Sequence, residues 1–319
     1  MLANPKVSVV LPSRDRPAEV RRAVASVLAQ TFTDWELVVI DDGSASAARL
    51  EDLEQLDWRV TVMRNDEPEG VARARNRGVG SARGEWIAFL DDDDVWHPSK
   101  LEVQLARARD TGASFVYTAA TVIDGDRRVY VQSAVPDDVY ARMLTRDSIV
   151  RSPSTVLVRR DNLIAVGGFD SRLSVVADWE LWLRLCPDAL VASVPEPLTG
   201  IIEHPGSMQL TMVDRIGAEL ELVAARHPAA QDARAIRRWR AQKQWTAQRT
   251  ARHAASYAWE ALRCHGVRGT IRQAFRHWQW GHVTAPDWVQ SQVDAAQHRT
   301  DHRGVRDPLD DRLHRAAVG

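Results

Sequence analysis

The chain has 319 residues, 45% hydrophobic and 27% charged, with a formal net charge of −1. That length admits one large domain or two modest ones, and the composition excludes a disordered chain. The near-zero charge conceals a split: residues 1–225 hold 25 basic and 35 acidic side chains, a balance of −10, whereas residues 226–319 hold 17 and 8, a balance of +9. Such an asymmetry suggests two functionally different parts. No run approaches the roughly 18 apolar residues of a membrane-spanning helix, and the N-terminus lacks the layout of a signal peptide. Cys186 and Cys264 stand in no metal or redox spacing, which fits a reducing cytoplasm.

The first segment alternates strands and helices. Val7 to Leu11 is a β-branched run that stops at Pro12, and Arg16-Pro17-Ala18-Glu19 opens a helix with Val20, Val24, Val27 and Leu28 at helical spacing. Leu37 to Ile40 is a second strand, ending in Asp41-Asp42-Gly43-Ser44. Leu50, Leu53 and Leu56 suggest a helix, Val60 to Met63 a third strand, and Gly70 to Ala82 a helix after a turn. Trp86 to Leu90 is a fourth strand, running straight into Asp91-Asp92-Asp93-Asp94. Apolar strands without alternation, separated by amphipathic helices, predict an α/β fold with a mostly parallel sheet covered on both faces. Further strands are expected over 114–123, 128–132 and 154–158, and a helix from Asp178 to Leu185 follows the loop Gly167-Gly168-Phe169-Asp170. Leu210, Val213, Ile216, Leu220 and Val223 mark an amphipathic helix ending before Pro228. A long Ala/Arg/Trp/Gln helix over 233–264 and a further one near Ile271, Phe275 and Trp278 are expected next, and the text from Thr300 onward is polar.

Carboxylates cluster where strands end. In open α/β sheets ligands bind outside the carboxyl ends of the strands, so Asp41–Asp42 and Asp91–Asp94 would converge on one crevice. Four consecutive aspartates repel one another; a hard divalent cation relieves that and takes substrate phosphates as further ligands. A solvated loop capping the next helix is the competing reading. Arg73 and Arg75, in the first turn of a helix, suit anionic oxygens or an exposed basic face. Asp178 begins a Leu- and Trp-rich helix. It is either a carboxylate stabilised by the helix dipole or a general base in a partly apolar pocket. His204, alone in Ile202-Glu203-His204-Pro205, is open between a structural and a ligand role.

Taken together and in order, these blocks resemble the family 2 nucleotide-sugar glycosyltransferases of the GT-A fold. The resemblance covers about residues 7–207. It rests on Val7-Ser8-Val9-Val10-Leu11-Pro12-Ser13-Arg14-Asp15-Arg16-Pro17, on Ser26 to Thr31, on Val39 to Ser44, on Gly70 through Asn76, on Gly84 to Asp94, and on Gly167-Gly168-Phe169-Asp170 followed by Asp178-Trp179-Glu180-Leu181-Trp182. It implies an inverting, metal-dependent transfer of a sugar from a nucleoside-diphosphate sugar to an acceptor hydroxyl. Asp178 would be the general base. Pro12, Arg14, Asp42, Arg75, Asp91 and Asp92 would line the nucleotide sugar. Asp93, with His204, would hold a divalent Mn²⁺ or Mg²⁺ ion. Arg14 stands where the family usually has an aromatic residue, and Ala177 where it often has Glu.

The expected organisation is a GT-A catalytic domain over 1–208, a basic Trp-rich helical region over 209–299 and a polar tail over 300–319. From 233 to 282 Glu260 is the lone acid, and six tryptophans lie beyond residue 226. That region reads as a helical subdomain packed on the catalytic domain, as a peripheral contact with an anionic membrane surface where a lipid-linked glycan acceptor would reside, or as an acceptor-recognition surface. Nucleic acid is not expected, since no nucleic-acid motif accompanies the charge. A cytoplasmic protein, peripheral at the inner membrane surface on the second of these readings, follows. The competing functions are a nucleotidyltransferase, which would normally carry a Gly-rich phosphate loop after the first strand, and a non-catalytic sugar-nucleotide binding module.

Overall fold

The computed structural model describes residues 4–45, 50–124, 128–132, 139–143, 150, 152–204 and 212–227. The expected helices over 233–264 and near Ile271, and the tail from 300, lie outside the described residues. Strands β1 (Val7–Ser13), β2 (Trp35–Asp41), β3 (Val60–Arg64) and β4 (Trp86–Phe89) are joined through helices α1 (Pro17–Leu28) and α2 (Val71–Ser81). After β5 (Val95–Trp96) come α3 (Lys100–Thr111), β6 (Phe115–Asp124), β7 (Arg128–Gln132), α4 (Val139–Met143), β8 (Val156–Arg159), α5 (Arg160–Ala165), α6 (Ala177–Leu185), β9 (Val191–Glu203) and α7 (Val213–Arg226).

The strands form one nine-stranded sheet in the order β3-β2-β1-β4-β8-β6-β9-β5, with β7 paired to β6. The first four strands are mutually parallel, β8 is antiparallel to both β4 and β6, and β9 runs parallel to β6 and antiparallel to β5. The strand order reverses between β1 and β4, which makes the space beyond their carboxyl ends a ligand crevice. Both faces are buried because alternate residues serve different layers. On β1, Val10 joins a cluster with Ile87, Phe115, Trp179 and Trp182, whereas Val9 and Leu11 join one with Val24, Leu37 and Trp96.

Three local outcomes differ from the sequence expectation, each for a physical reason. β1 continues through Pro12 to Ser13; β4 ends opposite Val10, so that side of β1 has no partner strand needing a donor from Pro12. Residues 51–55 form a 3-10 turn rather than an α-helix, in keeping with the three-residue period of Leu50, Leu53 and Leu56. From this turn Glu54 accepts the Val62 N–H at 2.8 Å and so shields the open edge of β3. β9, broken in the sequence by Pro195 and Pro197, survives as a strand because register shifts absorb the prolines. No helix among the described residues is long and apolar enough to cross a membrane.

α7 packs on the sheet's core. Ile216, Leu220 and Val223 are buried in the same cluster as Phe89, Phe169 and Trp182.

Candidate active site

The acidic loop after β4 is held by three different segments. Ser13, at the end of β1, donates its hydroxyl to Asp92 at 2.7 Å. Arg16, just before α1, donates from one guanidinium nitrogen to Asp92 at 3.2 Å and to Asp93 at 2.8 Å. Ser152 donates to Asp94 at 3.1 Å and, more weakly, to Asp91 at 3.4 Å, while the Asp91 amide donates to the Ser154 hydroxyl at 2.9 Å. Asp93 then meets His204 Nε2 at 2.9 Å across 111 residues of sequence. The route is topological: β5 immediately follows the aspartates and pairs at Val95 and Trp96 with Gly200 and Thr199 of β9, so the end of β9 delivers His204 to Asp93.

The electrostatics separate three of these carboxyls. Burial pushes Asp92 up, and the neighbouring Asp93 adds to it, so that Asp92 sits at about 7 despite the Ser13 and Arg16 contacts. Burial raises Asp94 well above the carboxylate range, reinforced by Asp93 and Asp91. Burial also disfavours charge on Asp93, but the His204 hydrogen bond and the Arg16 cation outweigh it and hold this carboxyl below its usual value. Asp93 is thus kept ionised by its surroundings, unlike the two acids that flank it.

Asp93 with His204 supplies carboxylate and imidazole donors side by side. Among the described residues no group of three or more His, Cys, Asp or Glu side chains forms a closed metal cage. This donor set fits a divalent ion that takes one or two protein ligands and completes its shell with substrate phosphates and water.

The remaining expected site residues fall into two groups. Arg75 is buried, donates to Asp91 at 2.5 Å and lies 5.2 Å over the Phe169 ring. Pro12 is buried in β1, paired with Ile40. Arg14 is exposed beside Asp15, which adopts a left-handed conformation (φ 56°) and links the two loops: its amide donates to Ser44 Oγ at 2.9 Å and its carboxylate accepts the Ala45 amide at 2.7 Å. Asp42 accepts Asn65 Nδ2 at 2.7 Å and the amides of Glu69 and Gly70 at 2.8 Å each, fastening the loop that leads into α2. Gly43, at φ +70°, is required there, because a Cβ would lie 2.7 Å from the Pro68 nitrogen.

Asp178 lies in the first turn of α6 and accepts the Trp179 amide at 2.8 Å. The preceding Gly-Gly-Phe-Asp loop is clasped to α2: Asn76 donates to the Phe169 carbonyl and accepts its amide, both at 2.8 Å. Gly168 sits at φ +69°, where a Cβ would come within 2.5 Å of Asn76 Oδ1. Arg184 donates to the Gly168 carbonyl at 2.7 Å and pairs with Glu180. Glu180 is itself buried and also receives Arg226 from α7 at 2.6 Å. Phe89, two residues before Asp91, packs edge-on against Phe169 at 5.2 Å and near Trp182 at 6.4 Å, which ties the Asp178 helix to the acidic strand end.

Sequence reasoning missed Arg16, Ser13 and Ser152. Arg16 carried a signal: a cation directly before a helix N-terminus opposes the dipole, which favours acids there. The serines carried none.

The fold is that of the GT-A glycosyltransferases: a crystal structure of TarS from S. aureus aligns with a TM-score of 0.57 at 18% identity, covering 77% of this chain and 73% of that one. A TarS structure in complex with UDP-GlcNAc aligns with a TM-score of 0.56 at 15% identity, covering 80% of this chain and 79% of that one. Residues 8–167, half of the chain, match the profile of glycosyl transferase family 2, and the chain belongs to that family. It is 32% identical over 188 residues to an Escherichia coli protein named UDP-Glc:alpha-D-GlcNAc-diphosphoundecaprenol beta-1,3-glucosyltransferase WfgD, covering 59% of this chain and 72% of that one. It is also 32% identical over 221 residues to the putative colanic acid biosynthesis glycosyl transferase WcaA of Escherichia coli K12, covering 66% and 77%. The protein is therefore a glycosyltransferase, and the nucleotidyltransferase and non-catalytic alternatives fall away.

Proposed function

We propose that the protein transfers a hexose from a UDP-sugar to an acceptor hydroxyl by one inverting displacement, with Asp178 as the base and a divalent cation held by Asp93 and His204. The observation that carries this is the Asp93 carboxylate, kept ionised among raised neighbours and touching His204 at 2.9 Å. A bound cation would supply charge neutralisation at the departing diphosphate. Asp178 takes the proton from the acceptor oxygen as that oxygen bonds to the anomeric carbon. The bond from that carbon to the diphosphate oxygen breaks, and the nucleoside diphosphate leaves with its electron pair. One displacement without an enzyme nucleophile inverts the anomeric configuration. Asp91, steadied by Arg75, and Asp92 line the sugar and phosphates; Asp42, Pro12 and Arg14 line the nucleoside.

The UDP specificity follows the names of the TarS complexes and of the WfgD relative, and the same relative suggests a polyprenyl-diphosphate-linked glycan as acceptor. A lipid-linked acceptor gives the basic, Trp-rich region beyond residue 226 a role at an anionic membrane surface. The catalytic unit spans about 1–208, with 209–299 as the helical region that begins at α7 and 300–319 as a tail.

UDP release from UDP-glucose, UDP-galactose and UDP-N-acetylglucosamine, with wild type and Asp178→Asn, tests the proposal. The variant should keep its affinity for UDP and lose about 10²–10⁴-fold in turnover. Undiminished turnover in the variant removes Asp178 from this role.

A further inference from the structure

We propose that Glu219 of α7 is a positioning residue for Asp178, acting through the backbone amides that lead into α6; the inference rests on the assignment of Asp178 as the base. Glu219 is a buried carboxylate on α7, at helical spacing from the buried Ile216 and Val223. A charged group in that place must be satisfied. It is satisfied by three consecutive amides: Ser174 donates at 3.0 Å, and Val175 and Val176 donate at 2.9 and 3.2 Å to the other carboxylate oxygen.

Those amides decide where α6 begins. Val176 is the residue preceding the helix and supplies no side-chain cap of its own. Asp178 is the second residue of the helix, so its side-chain direction follows from the setting of this turn. Glu219 thereby fixes, from 43 to 45 residues downstream, the approach to the helix, and it accepts the N-cap amide of Val176 as the acid of a capping box does. The C-terminal end of α7 grips the same unit, because Arg226 reaches Glu180 at 2.6 Å and Asp170 at 2.8 Å. α7 holds the base's helix at two points, with apolar packing between them. Gln at position 219 would present an amino group to at least one of the three N–H donors, so the substitution forces the turn to shift. A misplacement of about 1 Å at a reacting group costs on the order of 10²-fold in rate.

The test is a double-mutant cycle between Glu219→Gln and Asp178→Asn. It is read as UDP release per UDP-binding site with the fastest donor of the UDP-sugar panel, the sites being counted by calorimetry with UDP. If Glu219 acts through Asp178, Glu219→Gln lowers turnover about 10- to 100-fold in the wild-type background. In the Asp178→Asn background it changes the residual rate by less than about twofold. UDP affinity stays unchanged, and Glu219→Asp falls between wild type and Gln. Equal losses in both backgrounds overturn the proposal, as does an undiminished wild-type-background rate, since a purely structural cap would weaken both enzymes alike. If Glu219→Gln does not fold, Glu219→Asp takes its place in the cycle under the same criteria. Full turnover by Asp178→Asn alone, or UDP release from none of the donors, overturns the reading of the base or of the donor, and this inference with it; additivity removes Glu219 alone.

Discussion

Replacing Glu180 by Gln removes a buried carboxylate from the middle of a cationic cage while keeping its shape. Burial pushes this carboxyl up, but hydrogen bonds from His227, Arg184 and Arg226 overcome the penalty and hold it at about 2, against an ordinary 4.5. A depressed folded-state value means that the unfolded chain binds the proton more readily. The associated stability is fully present above about pH 4.5 and is lost as pH falls toward 2. The difference corresponds to about 3 kcal/mol at neutral pH. Glu180→Gln should therefore be destabilised by about that amount at pH 7, through the unpaired Arg184 and Arg226. The gap to wild type should close between about pH 4.5 and 2. Urea unfolding of both proteins across this range measures it, and taking the difference cancels the carboxyls they share. Parallel stability curves, with a constant gap or none, would refute the account of Glu180 as an ionised clamp.

Three further outcomes follow from the site and its supports. Arg16→Met removes the cation nearest to Asp92 and Asp93, so the Mn²⁺ concentration giving half-maximal turnover should fall several-fold; a rise would show that Arg16 assists rather than competes for that charge. Gly168→Ala places a Cβ in a left-handed position against Asn76, and urea unfolding should show a loss of about 2 kcal/mol or more. The Cys186 thiol, raised to about 12 by burial, should resist alkylation at pH 8 in the native protein and react after unfolding, as read by mass spectrometry of its peptide.

Much of the fold was legible because its signals are local. Runs such as Val7 to Leu11 and Leu37 to Ile40 are short, rich in β-branched residues and almost wholly apolar, as a strand buried on both faces requires. Asp41, Asp42 and Asp91 to Asp94 follow such strands directly, so their shared location at one sheet end could be read without coordinates. β9 escaped because Pro195 and Pro197 interrupt its pattern, and pairing along β6 restores what the prolines remove. The 3-10 turn at 51–55 was misread as a helix because a few leucines do not distinguish a period of 3 from one of 3.6.

By itself, then, the sequence determined the family, the strand ends and the identity of the acidic loop, because each is written in contiguous residues. Tertiary structure alone decided how Asp92, Asp93 and Asp94 differ. Their ionisation depends on depth of burial and on Ser13, Arg16 and His204, which arrive from distant segments. It also decided that α7 belongs with the base: the contacts of Glu219 and Arg226 to α6 and its approach bridge more than 40 residues of chain and leave no periodic trace. Contacts of that kind are set by strand register and helix packing, and these exist only once the chain has closed on itself.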